Sequence, residues 1–417
     1  MTSHWFWILR RLSRRIWVRA TLFSLGGVVT ALAATWLSPY IPNDLPTQIG
    51  SDAVDNILSI IASSMLTVTT FSLSTMVAAY SAATSNVTPR ATRLVIEDTT
   101  THNVLSTFIG SFLFSLVGII ALSTGLYGDK GRVVLFAVTL LVIAAIVVTL
   151  LRWIDHLSSL GRVTQTTERV EEAAMEAMRE RRRAPYMGGA PLCDPAAIPP
   201  TARPVFADAI GYVQHIDVGA LSEIARKRSA RVYLMSIPGD LVDPTGPIAM
   251  TDGFDEEGNV TVRECFTIGG VRSFDQDPRF GAAVLTEIAS RALSPATNDL
   301  GTAIDVIGRT VRLLSVWGEK LETEEEIRYP NVFVPPILIE DLFDDLFVPI
   351  ARDGASTVEV GVRLQKAFRT LARFGHEGFA ENAKRHSAEA LERANAALVV
   401  EADKRRIEAL AREVGAA

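Results

Sequence analysis

From Asn56 to Pro89 the chain runs for 34 residues without a charge, bounded by Asp55 and Arg90. A bilayer core of about 30 Å is crossed by about 20 helical residues at 1.5 Å each. The stretch therefore predicts a membrane helix that continues past the hydrocarbon. Its polar residues share one side. At 100° per residue, Asn56, Ser59, Ser63, Thr67, Thr70, Ser74, Ser81, Ser85 and Thr88 fall within one arc of roughly 80°. Such a stripe has two physical readings. Ser and Thr pack membrane helices closely or bond to their own helix's carbonyls. Alternatively, copies of the helix surround a hydrated path, where hydroxyl dipoles meet a passing ion or solute without the cost of a buried charge. A packing seam needs two or three small residues, whereas this row persists for nine.

The rest of the N-terminal part predicts three further spans. Trp5, Phe6, Trp7 and Trp17 are mixed with Arg10, Arg11, Arg14, Arg15 and Arg19, a combination suited to a membrane interface. The apolar run that follows gives a first span over about 18–38, retained because no small-residue cleavage pattern ends it. The second span covers 55–84, the third 103–127 and the fourth 133–153. The third carries Ser106, Gly110, Ser111, Ser115 and Gly118 on a face suited to close helix approach. In the fourth only Thr139 and Thr149 interrupt apolar residues, so it faces lipid, with Arg152 and Trp153 at its exit. The loop before the second span holds Asp44, Asp52 and Asp55, and basic Arg90 and Arg93 follow it. By the positive-inside rule both termini are cytoplasmic. These acidic and basic sets are candidate outer and inner pore mouths, although topology alone also explains them.

After residue 153 the composition changes. Residues 154–183 read as a helical stalk, and 184–208, with six prolines from Pro185 to Pro204, as a linker. Residues 209–272 read as a small β module interrupted by a helix over 218–227, with strands over 210–216, 231–237, 247–250 and 260–268. Its turns resemble the barrel-sandwich order of biotinyl and lipoyl carrier modules, without the carrier's modified lysine. Residues 273–417 read as helical, ending in one helix over 380–414. The expected fold class is thus an α-helical membrane protein with four transmembrane helices, both termini inside, and a cytoplasmic α+β domain. That domain pairs a β-barrel-like module with a helical one.

Several chemistries lack a starting residue. A net charge of −6 argues against nucleic acid as a partner. The six histidines form no HExxH pair and no cluster with Cys193 and Cys265, so no metal site is expected. Asp252, Asp255, Glu256 and Glu257 lack the spacing of a calcium loop. No phosphate-binding glycine motif or G-x-S-x-G occurs. Neither an enzyme nor a cofactor is expected.

Three stretches carry a family resemblance. They are Ile61-Ala62-Ser63-Ser64-Met65 with Phe71-Ser72-Leu73 and Pro89-Arg90; Phe274-Asp275-Gln276-Asp277-Pro278-Arg279-Phe280-Gly281; and Ala292-Leu293-Ser294-Pro295-Ala296-Thr297-Asn298-Asp299 with Thr302-Ala303. Together they resemble the bacterial membrane family catalogued as domain of unknown function 2254. The chain departs from its pattern where Leu300 follows Asp299 and Thr99 follows Asp98. The resemblance implies a bacterial inner-membrane protein with a cytoplasmic C-terminal domain, and no activity. In that domain Asp275, Asp277, Pro278, Ser294, Pro295, Asn298 and Asp299 are the candidate motif residues.

Two functions stay open. One is a homo-oligomeric inner-membrane channel or pore-like transporter for an ion or small solute, with the second span lining its path and the cytoplasmic domain gating or filtering it. The other is a membrane-anchored sensory or scaffold protein whose cytoplasmic domain binds a partner and which conducts nothing.

Overall fold

No glycine or proline interrupts residues 51–86, and in the computed structural model they form one helix, α1 (Ser51–Asn86). The structure describes residues 51–416 apart from 97, 125–128, 160, 320–325 and 377, and before them only Thr21, Leu25, Gly26 and Val29, all helical. The remainder of the first span expected over 18–38, and Asp44, lie outside the described residues.

Proline sets the end of α1. Its ring disfavours helical backbone in the preceding residue, here Thr88, while Pro89 itself opens α2 (Pro89–Ile96), where its missing N–H removes no bond. α3 (Thr99–Ser123) begins four residues before the expected span because Asp98 caps it, accepting from the Thr101 amide at 3.0 Å. α4 (Asp129–Ser159) continues past the expected exit. Trp153 is buried there and stacks on His156 with ring centroids 5.7 Å apart. Among the described residues, Ala53–Ser85, Thr99–Ser123 and Gly131–Ser158 are long and apolar enough to cross a membrane.

The chain divides into two units between Gln165 and Thr166. In the first, Val54 and Leu58 pack with Phe114, Ala121 and Leu135, whereas Ile61 and Met65 pack with Val104, Phe108, Ile146 and Trp153. Numbers rise along α1 as they fall along α3, so these helices are antiparallel. The small residues Ser106, Gly110, Ser111, Ser115 and Gly118 of α3 are all buried.

The expected stalk is two helices. Gly161, in left-handed backbone at φ +82°, separates α4 from α5 (Val163–Arg183). Val170, Ala174, Ala177 and Met178 of α5 are buried, so it is a core helix of the second unit.

The second unit holds β1 (Gly189–Pro191), β2 (Arg203–Phe206), β3 (Gly211–Ile216), α6 (Val218–Lys227), β4 (Arg231–Leu234), β5 (Leu241–Val242), β6 (Pro247–Asp252), α7 (Glu256–Glu264) and β7 (Phe266–Gly269). Then come α8 (Pro278–Ala292), α9 (Leu300–Gly318), β8 (Tyr329–Val334), α10 (Ile339–Asp353), α11 (Val358–Ala372), α12 (Phe379–Ala397) and α13 (Glu401–Gly415). The strands form a five-stranded sheet in the order β1-β8-β4-β6-β2 and a three-stranded sheet β5-β3-β7. Val213, Ile216, Val232, Leu234, Ile248 and Val332 join Leu221 of α6 and Val262 of α7 in the core.

Four expectations change here. Residues 184–208 carry β1 and β2, so this proline-rich stretch belongs to the sheet instead of linking modules. β8 arrives from beyond α8 and α9 to pair in parallel with β4 and β1, a long-range pairing that needs a crossover. Residues 260–264 are helical because Asp255 caps α7 at the Gly258 amide, 2.8 Å away. The last helix is also divided, by the extended backbone of Leu398.

Candidate functional site

The hydroxyl stripe sits on the outward face of α1. Leu58, Met65, Ser72, Met76 and Ala83 are buried, and their mean direction on the wheel is about 160° from that of the stripe. Asn56, Ser59, Ser63, Thr67, Thr70, Ser74, Ser81 and Ser85 are all exposed within the described unit, whereas Thr88 is buried at the turn before α2. The seam between α1 and α3 is therefore made by other residues.

The hydroxyl protons of the stripe turn inward. Ser63 Oγ donates to the Ser59 carbonyl at 3.0 Å, Thr67 Oγ1 to Ser63 at 3.0 Å, Thr70 Oγ1 to Leu66 at 2.9 Å and Ser74 Oγ to Thr70 at 3.0 Å. A carbonyl only accepts, so each hydroxyl is the donor and its lone pairs face out. At these four positions the outward atoms are oxygen acceptors. Exposed Ile60 and Phe71 flank the stripe on one side, and Leu66 and Leu73 on the other. Asp52 lies in the first turn of α1. Asp55 is half-buried near the same end, and exposed Arg90 and half-buried Arg93 lie on α2.

At the opposite end of the bundle from Leu58, Asp98 does more than cap α3. Its Oδ2 accepts from Thr101 Oγ1 at 2.5 Å and lies 2.8 Å from His156 Nε2 near the end of α4. The Asp98-x-x-Thr101 spacing is a readable capping signal, but nothing in the sequence pairs Asp98 with His156, 58 positions on.

In the second unit, residues 274–281 form a junction. Asp277 caps α8 at the Phe280 amide, 3.0 Å away, and takes two bonds from Arg272 at 2.8 and 2.9 Å. Burial pushes its carboxyl up, and Arg272 pulls in the other direction. Gln276 Oε1 accepts from the Ile216 amide of β3 at 3.0 Å. Arg279 reaches Asp341 at 2.8 Å and Asp345 at 2.6 Å on α10. Gly281 lies against Ala174 of α5 without room for a Cβ. Pro278 occupies the first turn of α8, and Asp275 accepts from Ser273 Oγ at 3.0 Å. Four elements, α5, β3, α8 and α10, meet at these residues, and the polar groups named are occupied by structural bonds.

The other motif is the exposed connection from α8 to α9. Asn298 adopts left-handed backbone at φ +48°, and Ser294 Oγ donates to the Arg291 carbonyl at 2.7 Å. Asp299 caps α9, accepting from the Thr302 hydroxyl at 2.6 Å and amide at 3.1 Å, which hold its carboxyl below the usual range. Pro295 is exposed. The two motifs therefore bracket α8. Among the described residues, no group of three His, Cys, Asp or Glu is placed to hold a metal ion.

The family described as predicted membrane protein DUF2254 matches residues 13–370. Uncharacterized proteins of Mycobacterium bovis and of Mycobacterium tuberculosis are each 26% identical to the chain over 261 residues, covering 60% of this chain and 50% of theirs. The chain thus spans about half the length of these curated relatives. No solved structure matches it.

Proposed function

The chain belongs to the DUF2254 family of predicted membrane proteins, and from that premise we propose that it is a homo-oligomeric inner-membrane channel or pore-like transporter. One observation carries this reading: the hydroxyl stripe of α1 lies opposite the face that packs within the bundle. Intramolecular packing, the simplest use for such a row, is supplied by a different set of side chains. The stripe then lines a hydrated path when several copies assemble with their α1 helices around one axis, and the apolar flanks seal neighbouring copies.

In this reading four spans per chain, including one over residues 18–38, leave both termini in the cytoplasm. Asp52 and Asp55 stand at the outer mouth, and Arg90 and Arg93 at the inner one. The path presents oxygen acceptors because the hydroxyl protons are used by the helix, and acceptors replace the water around a cation better than around an anion. The second unit gates or filters the path.

Single cysteines at Ser59, Ser63, Thr67, Thr70 and Ser74, with Met65 as a buried control, test the path in reconstituted protein. A membrane-impermeant thiol reagent is expected to label the stripe at every depth and to spare Met65→Cys. Liposomes containing the wild-type protein should show a cation flux that the labelled variants lose. Protection throughout the stripe, together with impermeable liposomes, overturns the channel and favours an anchored module.

A further inference from the structure

We propose that His386 is an acid switch that loosens α12 from α10 and α11. The imidazole is 2% exposed. Phe343, Phe347 and Phe368 surround it with ring centroids 5.7, 6.1 and 6.1 Å away. Phe379, also on α12, meets Phe343 edge-on at 5.5 Å and completes the apolar box. A neutral ring suits this environment, and a charged one does not.

The arrangement around Nε2 turns that preference into a device. Asp344 Oδ1 lies 3.1 Å from His386 Nε2, poorly aligned for a hydrogen bond but close enough to favour the charged ring. The same oxygen accepts from Arg385 Nη2 at 2.7 Å. A protonated His386 would share that oxygen with Arg385, whose like charge opposes its own. The charges bearing on the ring are Asp344 from α10 with Arg385 and Glu389 from α12. Glu340 of α10 meets Arg385 at 3.8 Å, and α11 contributes the neutral Gln365, which bonds reciprocally with Ser387 at 2.5 and 3.0 Å.

Burial, followed by Arg385, holds the His386 pKa below its ordinary value, against the opposing pull of Asp344 and Glu389. The sign follows from linkage. Opened α12 binds the proton more readily than docked α12, so docking is complete above the ordinary histidine pKa and weakens as pH falls below it.

Hydrogen exchange measured by mass spectrometry on the full chain in lipid nanodiscs tests the switch at pH 7.5 and 5.0, after correction for intrinsic exchange. Residues 379–397 are expected to lose protection severalfold at pH 5.0 relative to pH 7.5, while 278–292 in α8 keep theirs. His386→Phe and His386→Gln, neither of which can charge, should show no such response whatever their baseline protection. Equal protection of α12 at both pH values in the wild type, or the same acid response in both variants, overturns the switch.

Discussion

Gly239, in left-handed backbone at φ +105°, lies against Asp277 so closely that a Cβ there would come within 2.5 Å of the Asp277 Oδ2. The turn after β4 and the cap of α8 thus exclude any side chain between them. Gly239→Ala should lose both the backbone conformation and the Asp277–Arg272 geometry, at a cost of about 2–4 kcal/mol. Asp277→Ala alone leaves Arg272 with an uncompensated charge and is expected to cost about 3–5 kcal/mol. The double change Asp277→Ala with Arg272→Met should recover most of that and leave a deficit of about 1 kcal/mol for the lost cap. Denaturant unfolding followed by the tryptophan-independent helical signal of the full chain measures all three. A double variant no more stable than Asp277→Ala would remove the ion pair from this account.

In the membrane unit, a Cβ added to Gly118 would come within 2.9 Å of Leu58 Cδ1. The nearest atom is the far end of a flexible side chain, so Gly118→Ala should be mild. Gly118→Leu should separate α1 from α3 and cost about 1–3 kcal/mol. Shortening the neighbour, Leu58→Ala, in the Gly118→Leu background should return part of the loss because the two sites share one space. Thermal denaturation in detergent reads the series, and additive losses in the double variant would count against the contact.

Three of the four expected spans coincide with long apolar helices, legible because length and charge depletion are local properties, as is the helical periodicity that marks the stripe. Which face of α1 packs was not legible, since Ser72 and Ser74 look equally polar while only Ser72 is buried. In the second unit, α6 falls where its periodicity put it. β8 did not show because its partners β4 and β1 lie more than 90 residues earlier, and Tyr329-Pro330-Asn331 looks like a turn when read alone. Asp277 was singled out as a motif residue, but its partner Arg272 and its contact with Gly239 are visible only once the chain is folded.

The two thiols should differ in reactivity. Cys193 is exposed, whereas Cys265 is buried, and burial, with Asp217 and Glu264, pushes its pKa up to about 12. Only about one Cys265 in 10⁴ is then a thiolate at pH 8, and the thiolate is the nucleophile. A maleimide at pH 7 to 8 is expected to modify Cys193 alone in the native protein and both residues after denaturation. Peptide mass spectrometry checks this, and rapid native labelling of Cys265 would contradict its buried placement.

The stripe itself makes a prediction that separates conduction from folding. Thr67 and Thr70 are exposed, and their hydroxyls bond only within α1, so Thr67→Val with Thr70→Val keeps the shape and removes two outward acceptors. Stability should stay within about 0.5 kcal/mol of wild type per site, as for other surface substitutions, while cation flux into liposomes falls. Ser72 provides the opposite case. Its hydroxyl is fully buried without a hydrogen-bond partner, so Ser72→Ala should leave stability unchanged or raise it by about 1 kcal/mol and leave flux intact. If the valine pair conducts like the wild type, the acceptor row is not the path. A bilayer-facing surface would then be sufficient to explain why α1 carries its hydroxyls on the side away from α3.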